Sequence, residues 1–202
     1  MTEIQFQKWP KTARIFRDCV ITEKLDGTNA AIGIVPGTDE TALQNLGNHV
    51  KVGDRHYCVY AQSRNHIITP KADSFGFAGW VYKNAAGLVE LLGEGLHFGE
   101  WWGAGIQRRY GQAGKTFSLF NTGKWWGLSA TLGDADLSVV PTVYEGPFST
   151  MAVGLAMAKL KRVGSFAAPG FMDPEGVCIY HKANGTVFKA TFEHDQTGKD
   201  AK

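Results

Sequence analysis

The sequence predicts an α+β fold with mostly antiparallel sheets flanked by helices, and three observations carry that prediction. Short runs of aromatic and β-branched residues alternate with glycines along most of the chain, the pattern of strands joined by tight turns. Two stretches, residues 77–92 and 151–160, show apolar residues at helical spacing. A hydrophobic content of 44% over 202 residues suffices for a proper core in one domain or in a main domain with small subdomains.

In chain order, residues 8–17 form a lead-in whose Pro10 blocks an upstream helix from continuing, expected to pack against the body. Residues 20–25 read as a strand, so the alternation of side chains puts Lys24 and Asp26 on one face. Gly27 permits a sharp turn, Thr28 and Asn29 offer short hydrogen-bonding side chains, and residues 30–35 read as the return strand of a hairpin. Pro36-Gly37-Thr38-Asp39 is a turn signal, followed by a polar loop or short helix reaching His49. Residues 57–61 are strand-like and lead into Ser63-Arg64.

Phe77, Val81, Leu88 and Leu92 recur at helical spacing and Gly93 supplies a stop, which predicts one helix. Residues 97–103 form an aromatic strand carrying Glu100. A second helix is capped by Ser149 or Thr150, shows Met151, Leu155 and Leu160 on one side, and ends in basic residues before Gly164. Residues 173–180 and 186–191 form a hairpin around Ala183-Asn184-Gly185. Its register matters. A two-residue turn leaves Glu175 and Lys189 on opposite faces, whereas a three-residue loop with a left-handed Gly185 opposes Ile179 to Lys189 and unites them, so a shared site requires the second.

Composition narrows the function classes. A formal charge of +2 permits a nucleic-acid partner without indicating one, and Arg14/Arg17, Arg108/Arg109 and Lys159/Lys161/Arg162 fit solvated faces. Cys19, Cys58 and Cys178 form no Cys-x-x-Cys, so neither a disulfide framework nor a thiolate zinc site is expected. The start Met1-Thr2-Glu3-Ile4 lacks a basic-then-apolar leader, and residues 151–158, the longest apolar run, are too few to span a bilayer, which points to a cytoplasmic protein with no membrane partner. Gly111-Gln112-Ala113-Gly114-Lys115-Thr116 imitates a phosphate-binding P-loop, but that motif needs four residues between its glycines and a following helix, where this chain has two and a strand-like run.

A lysine beside an Asp-Gly turn is either a plain surface residue or a nucleophile. A lysine attacks only as the neutral amine, and against an unperturbed pKa of about 10.4 that requires desolvation or a neighbouring cation.

The ordered set Lys24-Leu25-Asp26-Gly27-Thr28-Asn29, Ser63-Arg64, Phe98-Gly99-Glu100, residues 117–120, Glu175-Gly176 and Lys189 resembles the covalent nucleotidyltransferases, which comprise RNA ligases, DNA ligases and mRNA capping enzymes. The Gly-Thr-Asn ending, and Phe98-Gly99-Glu100 followed by residues 103–107 and an aromatic strand, resemble the RNA ligase branch of phage RNA-repair and kinetoplastid RNA-editing enzymes. The resemblance implies a single nucleotidyltransferase domain (ATP-grasp-like adenylylation fold) over residues 1–202; the OB-fold into which DNA ligases and capping enzymes usually continue, or another C-terminal accessory domain, is not expected, which favours the RNA ligase branch. It implies an ATP-dependent RNA ligase joining 5′-phosphate and 3′-hydroxyl ends through a lysyl-AMP intermediate, located in the cytoplasm, or in a host's cytoplasm if phage-encoded. The alternatives are a minimal DNA or hybrid-nick ligase and, in another class, a non-catalytic nucleic-acid end-binding module.

Carried over residue by residue, the resemblance makes Lys24 the nucleophile that takes AMP from ATP. Glu23, Asn29, Arg64, Glu100, Phe120, Glu175 and Lys189 would bind the nucleotide, with Glu100 on the ribose hydroxyls and Phe120, or alternatively Phe117, stacked on adenine. Asp26 and Glu175 would hold Mg²⁺ or Mn²⁺. The partners implied are ATP and RNA or nicked-duplex ends, with a helper protein or none. Three departures stand out, the first being that related RNA ligases carry a C-terminal domain that helps grip the nucleic acid, which is not expected here. The family usually shows a second lysine where Thr191 stands, and an acid where Asn121 stands.

Overall fold

A strand has two edges, and in the first two strands of this protein both are taken by strands from elsewhere in the chain. The computed structural model describes residues 4–37, 47–73 and 75–193. In it β1 (Asp18–Lys24) and β2 (Thr28–Pro36) are followed by β3 (Asn48–Val52), β4 (Arg55–Ser63), β5 (Ile67–Ile68), α1 (Phe77–Lys83) and α2 (Ala85–Leu92). Then come β6 (Gly95–Gly103), β7 (Lys115–Leu119), β8 (Ala130–Leu132), β9 (Ala135–Val139) and β10 (Thr142–Pro147). The remaining elements are α3 (Thr150–Val163), β11 (Gly176–His181) and β12 (Thr186–Thr191). A four-stranded sheet runs β10-β1-β11-β12, and a larger one runs β3-β4-β2-β6-β7-β9-β8 with β5 paired to β4. The β7–β9 pairing is parallel and the others are antiparallel. This is the predicted α+β class.

Each sheet buries one face against helices. Ala30, Ile32 and Ile34 of β2, with Trp101 and Phe117, pack against Phe77, Trp80 and Leu88 of α1 and α2. Trp80 and Trp101 stack with ring centroids 5.2 Å apart, and their indole N–H groups donate to Leu132 O and Phe75 O. Under α3, Cys19 and Ile21 of β1 join Val177 and Ile179 of β11. Side chains of alternating parity on both sheets are thereby directed to the opposite faces, where a cleft lies.

Several expectations change. Residues 20–25 and 30–35 do not form a hairpin: β1 lies between β10 and β11, β2 between β4 and β6, and Asp26-Gly27 carries the chain from one sheet to the other. Gly27 has no left-handed φ; it is small because an added Cβ would lie 2.4 Å from Trp101 O and 2.8 Å from Trp102 Cβ. The predicted helix over residues 77–92 is two helices, since the Asn84 side chain and backbone N–H both donate to Trp80 O, ending α1, while Asn84 O accepts from Leu88 in α2.

In α3, Ser149 caps as expected, accepting from Ala152 N at 3.0 Å, but the buried stripe is Ala152, Ala156 and Leu160. Met151 and Leu155 are 73% and 65% exposed, because small alanines let the helix settle closest to the sheet. The β11–β12 loop has four residues rather than three, with Cys178 opposite Lys189 and Gly185 left-handed at φ 68°. Most of the lead-in does not pack: residues 4–18 are exposed and residues 4–14 lie in no helix or strand, while Ile15 O and Arg17 O bond the body. His49 belongs to β3; the rest of the expected loop, residues 38–46, lies outside the described residues.

Candidate functional site

Between the two sheets lies a cleft of about 820 Å³. Val20 and Thr22 of β1, Cys178 and Tyr180 of β11, Phe98 of β6 and Phe120 just beyond β7 line it. Lys24 continues the Val20-Thr22 alternation, so it stands on the cleft face at the end of β1, opposite Gly176. Lys189 is opposite Cys178 on the next strand and so belongs to the same face. The union of Lys24, Glu175 and Lys189 therefore does not need the three-residue loop. Glu175 sits just ahead of β11, where Gly176 (φ 150°) bends the chain, and its Oε2 accepts a hydrogen bond from Lys24 Nζ. Gly176 is required there, since a Cβ would lie 2.1 Å from Ala190 O.

On the facing sheet Asn29 is paired with Glu100 across β2 and β6. Glu100 Oε1 accepts from Gly27 N at 3.2 Å. Burial pushes the Glu100 carboxyl up to about 7; the charge of Lys24 and the Gly27 N–H pull it back, Glu175 raises it further and Arg64 lowers it. Arg64 is exposed in the bend after β4, near enough for its charge to act on Glu100. Phe120 is 40% exposed on the cleft wall, whereas Phe117 is fully buried in the core, which removes Phe117 as a stacking surface. Burial also raises the Cys178 thiol, so the cleft floor is a neutral sulfhydryl.

Two predicted residues are placed differently. Glu23 faces away from Lys24: it is buried beneath residues 165–168, its Oε2 accepting from Phe166 N and Ala167 N at 2.8 and 3.0 Å. Burial raises the pKa of the Glu23 carboxyl, opposed by hydrogen bonding from Ser165, Ala167 and Phe166. The Asp26 carboxylate is held by Arg108 at 3.0 Å, and Asp26 N donates to Tyr110 Oη at 2.8 Å.

Arg108 is the residue that sequence reasoning misjudged. Far from a solvated face, its side chain is 18% exposed and bonds Asp26, Asp173 at 2.6 Å and Glu193 at 3.3 Å. One guanidinium thus ties the end of β1, the approach to β11 and the exit of β12, the three segments that carry Lys24, Glu175 and Lys189. It projects from a loop wound through positive φ at Gln107, Arg109 and Tyr110, a conformation non-glycine residues seldom adopt. The clustering of Gly103, Gly105 and Gly111, all with positive φ, is the sequence signal that marks such a loop.

Arg108→Gln is expected to lose about 1–2 kcal/mol, chiefly through Asp26, because Asp173 and Glu193 are largely exposed. Thermal unfolding should show a Tm lower by about 2–8 °C. Arg108→Lys should recover little, since an ammonium lacks the fork that reaches several carboxylates at once.

Among the described residues, no group of three or more His, Cys, Asp or Glu side chains forms a metal-binding cluster. Of the two carboxylates expected to hold a metal, Glu175 bonds Lys24 and Asp26 lies two residues beyond it, and Mg²⁺ commonly takes only one or two carboxylates, completing its shell with water and substrate phosphates. Glu175, 20% exposed and at the cleft, fits that use; Asp26, occupied by Arg108, fits it only on leaving that partner. No helix among the described residues is long and apolar enough to cross a membrane.

No curated protein matches the chain. A family model described as RNA ligase matches residues 17–194, a span that includes both sheets, all three helices and every residue of the cleft named above. With Lys24, Glu100, Glu175 and Lys189 gathered on that matched span, the chain belongs to the RNA ligase family.

Proposed function

We propose that the protein is an ATP-dependent RNA ligase that joins 5′-phosphate to 3′-hydroxyl ends through a lysyl-AMP on Lys24. The observation that carries this reading is the Lys24 amine at the rim of the cleft, hydrogen-bonded to Glu175 and close enough to Glu100 for each charge to act on the other. Lys24 Nζ attacks the α-phosphorus of ATP; a P–N bond forms, the bond to the β-phosphate oxygen breaks, and pyrophosphate leaves. Glu175, already accepting an Nζ–H, is positioned to take the proton the amine sheds. Phe120 offers its exposed face to adenine, Glu100 accepts from the ribose hydroxyls, and Asn29, Arg64 and Lys189 supply donors for sugar and phosphates. Glu175 and Asp26 would hold Mg²⁺ or Mn²⁺, whose chemistry is charge neutralisation on the transferring phosphate. An oxygen of the RNA 5′-phosphate then displaces Lys24 from AMP, and the 3′-hydroxyl oxygen displaces AMP to form the phosphodiester. The Glu23 side chain supports β1 from beneath in this reading and makes no nucleotide contact.

Incubation with α-labelled ATP and Mg²⁺, then with 5′-phosphorylated strands, tests this. Label that survives denaturation and is released as sealed RNA forms is the expected result; protein verified free of AMP that takes no label would sink it. Matched RNA, DNA and hybrid nicks identify the preferred duplex.

Glu100 adds a pH dependence. A ribose hydroxyl donates to the carboxylate better than to the carboxylic acid, so KM for ATP should fall as pH rises through about 7, and Glu100→Gln should remove the inflection. The stability sign is opposite. With its folded pKa raised, Glu100 contributes most below the ordinary value of 4.5, and that contribution is lost as pH rises to about 7. Glu100→Gln should flatten that decline in a Tm-against-pH series.

A further inference from the structure

We infer that residues 4–17 are a binding arm for single-stranded RNA, a site separate from the nucleotide cleft. The segment carries Lys8, Lys11, Arg14 and Arg17 and no acidic residue. Interleaved with these cations, Phe6 and Trp9 are 91% and 84% exposed and Phe16 is 75% exposed. Large aromatics this exposed, on a backbone in no helix or strand, leave free ring faces on which unpaired bases can stack, while the cations track phosphates. The most exposed apolar residues of α3, Met151 and Leu155, share that helix with Lys159, Lys161 and Arg162, whose charge repels a basic arm, so α3 of a second copy is a poor partner for it.

The arm is extended for a local reason: Pro10 disfavours the helical region for Trp9. Its root is fixed where Phe148 N donates to Arg17 O and His181 Nε2 meets Ile15 O. That root adjoins the Asp18 end of β1, about 20 Å along the strand from Lys24. Fully extended, residues 4–17 reach about 45 Å, so the arm can follow a strand whose end sits at Lys24. The inference rests on the chain's place in the RNA ligase family for its ligand, but not on ATP use or on the lysyl-AMP step.

Fluorescence anisotropy of a labelled 20-nucleotide single-stranded RNA, without ATP, tests it on the full chain. Phe6→Ala with Trp9→Ala is expected to weaken binding at least tenfold, and Lys8→Gln, Lys11→Gln and Arg14→Gln together to lower the slope of log affinity against log salt by about 2. Unchanged Tm and unchanged labelling by ATP show that each variant retains its fold and cleft. Affinity and salt slope equal to wild type in both variants, or no RNA binding by wild type, overturns the inference, as does an effect confined to duplex RNA. A loss of dimer by sedimentation with RNA affinity unchanged also overturns it and makes the arm a contact between copies. Failure of ATP labelling in wild type, by contrast, counts against the ligase reading alone.

Discussion

Lys24→Ala and Lys24→Arg are both expected to take no label from α-labelled ATP, with adenylylation falling below detection. Alanine removes the nucleophile outright. Arginine keeps a positive charge that can still pair with Glu175, but a guanidinium stays protonated and offers no free lone pair for attack. The pair therefore separates folding from chemistry. Lys24→Arg should keep a Tm close to wild type, whereas Lys24→Ala leaves the partly buried Glu175 without its cation and should be the less stable of the two. Label retained on either variant after denaturation would move the nucleophile elsewhere, with Lys189, on the same face of the same sheet, the first to examine. The separate loss of label in Glu175→Gln, with binding of ATP intact, would support its part in taking the amine's proton.

Gly176→Ala should be strongly destabilising. Two costs coincide. A Cβ would sit 2.1 Å from Ala190 O and 2.8 Å from Thr191 Cα, both backbone atoms that cannot swing aside, and φ 150° is strained for any residue with a side chain. Overpacking costs about 1–3 kcal/mol and such strain about 1–3 kcal/mol more, so a Tm lower by at least about 4 °C is expected. The damage should reach the cleft, because Gly176 is opposite Lys24 on one side and Thr191 on the other, and pushing β12 outward carries Lys189 with it. Gly53→Ala supplies the comparison: its φ of 59° is also left-handed, but nothing lies within 4 Å, so strain alone should cost about 1 kcal/mol. Equal Tm changes in the two variants would show that the close approach at Gly176 does not matter.

What the sequence determined by itself is local. The alternation that puts Lys24 on a strand face, the Ser149 cap, the stop at Gly93, the left-handed Gly185 and the rejection of residues 111–116 as a P-loop all depend on neighbours within a few positions. So does the α+β class, which follows from the periods of short segments. Tertiary structure decided the rest. Whether β1 pairs with β2 depends on which other strands claim their edges, and those lie as far away as β10 and β11. The buried side of α3 depends on which stripe lets the helix approach the sheet, not on periodicity, which Met151 and Leu155 satisfied equally well. Alternation already turns Glu23 from the cleft, but what covers it, backbone donors more than 140 positions on, was decided by the fold. Arg108 became a three-way tie because its partners, 82, 65 and 85 positions away, meet it only when both sheets are folded. Side-chain chemistry and spacing name candidates; burial and ion pairing over such separations are properties of the folded chain alone.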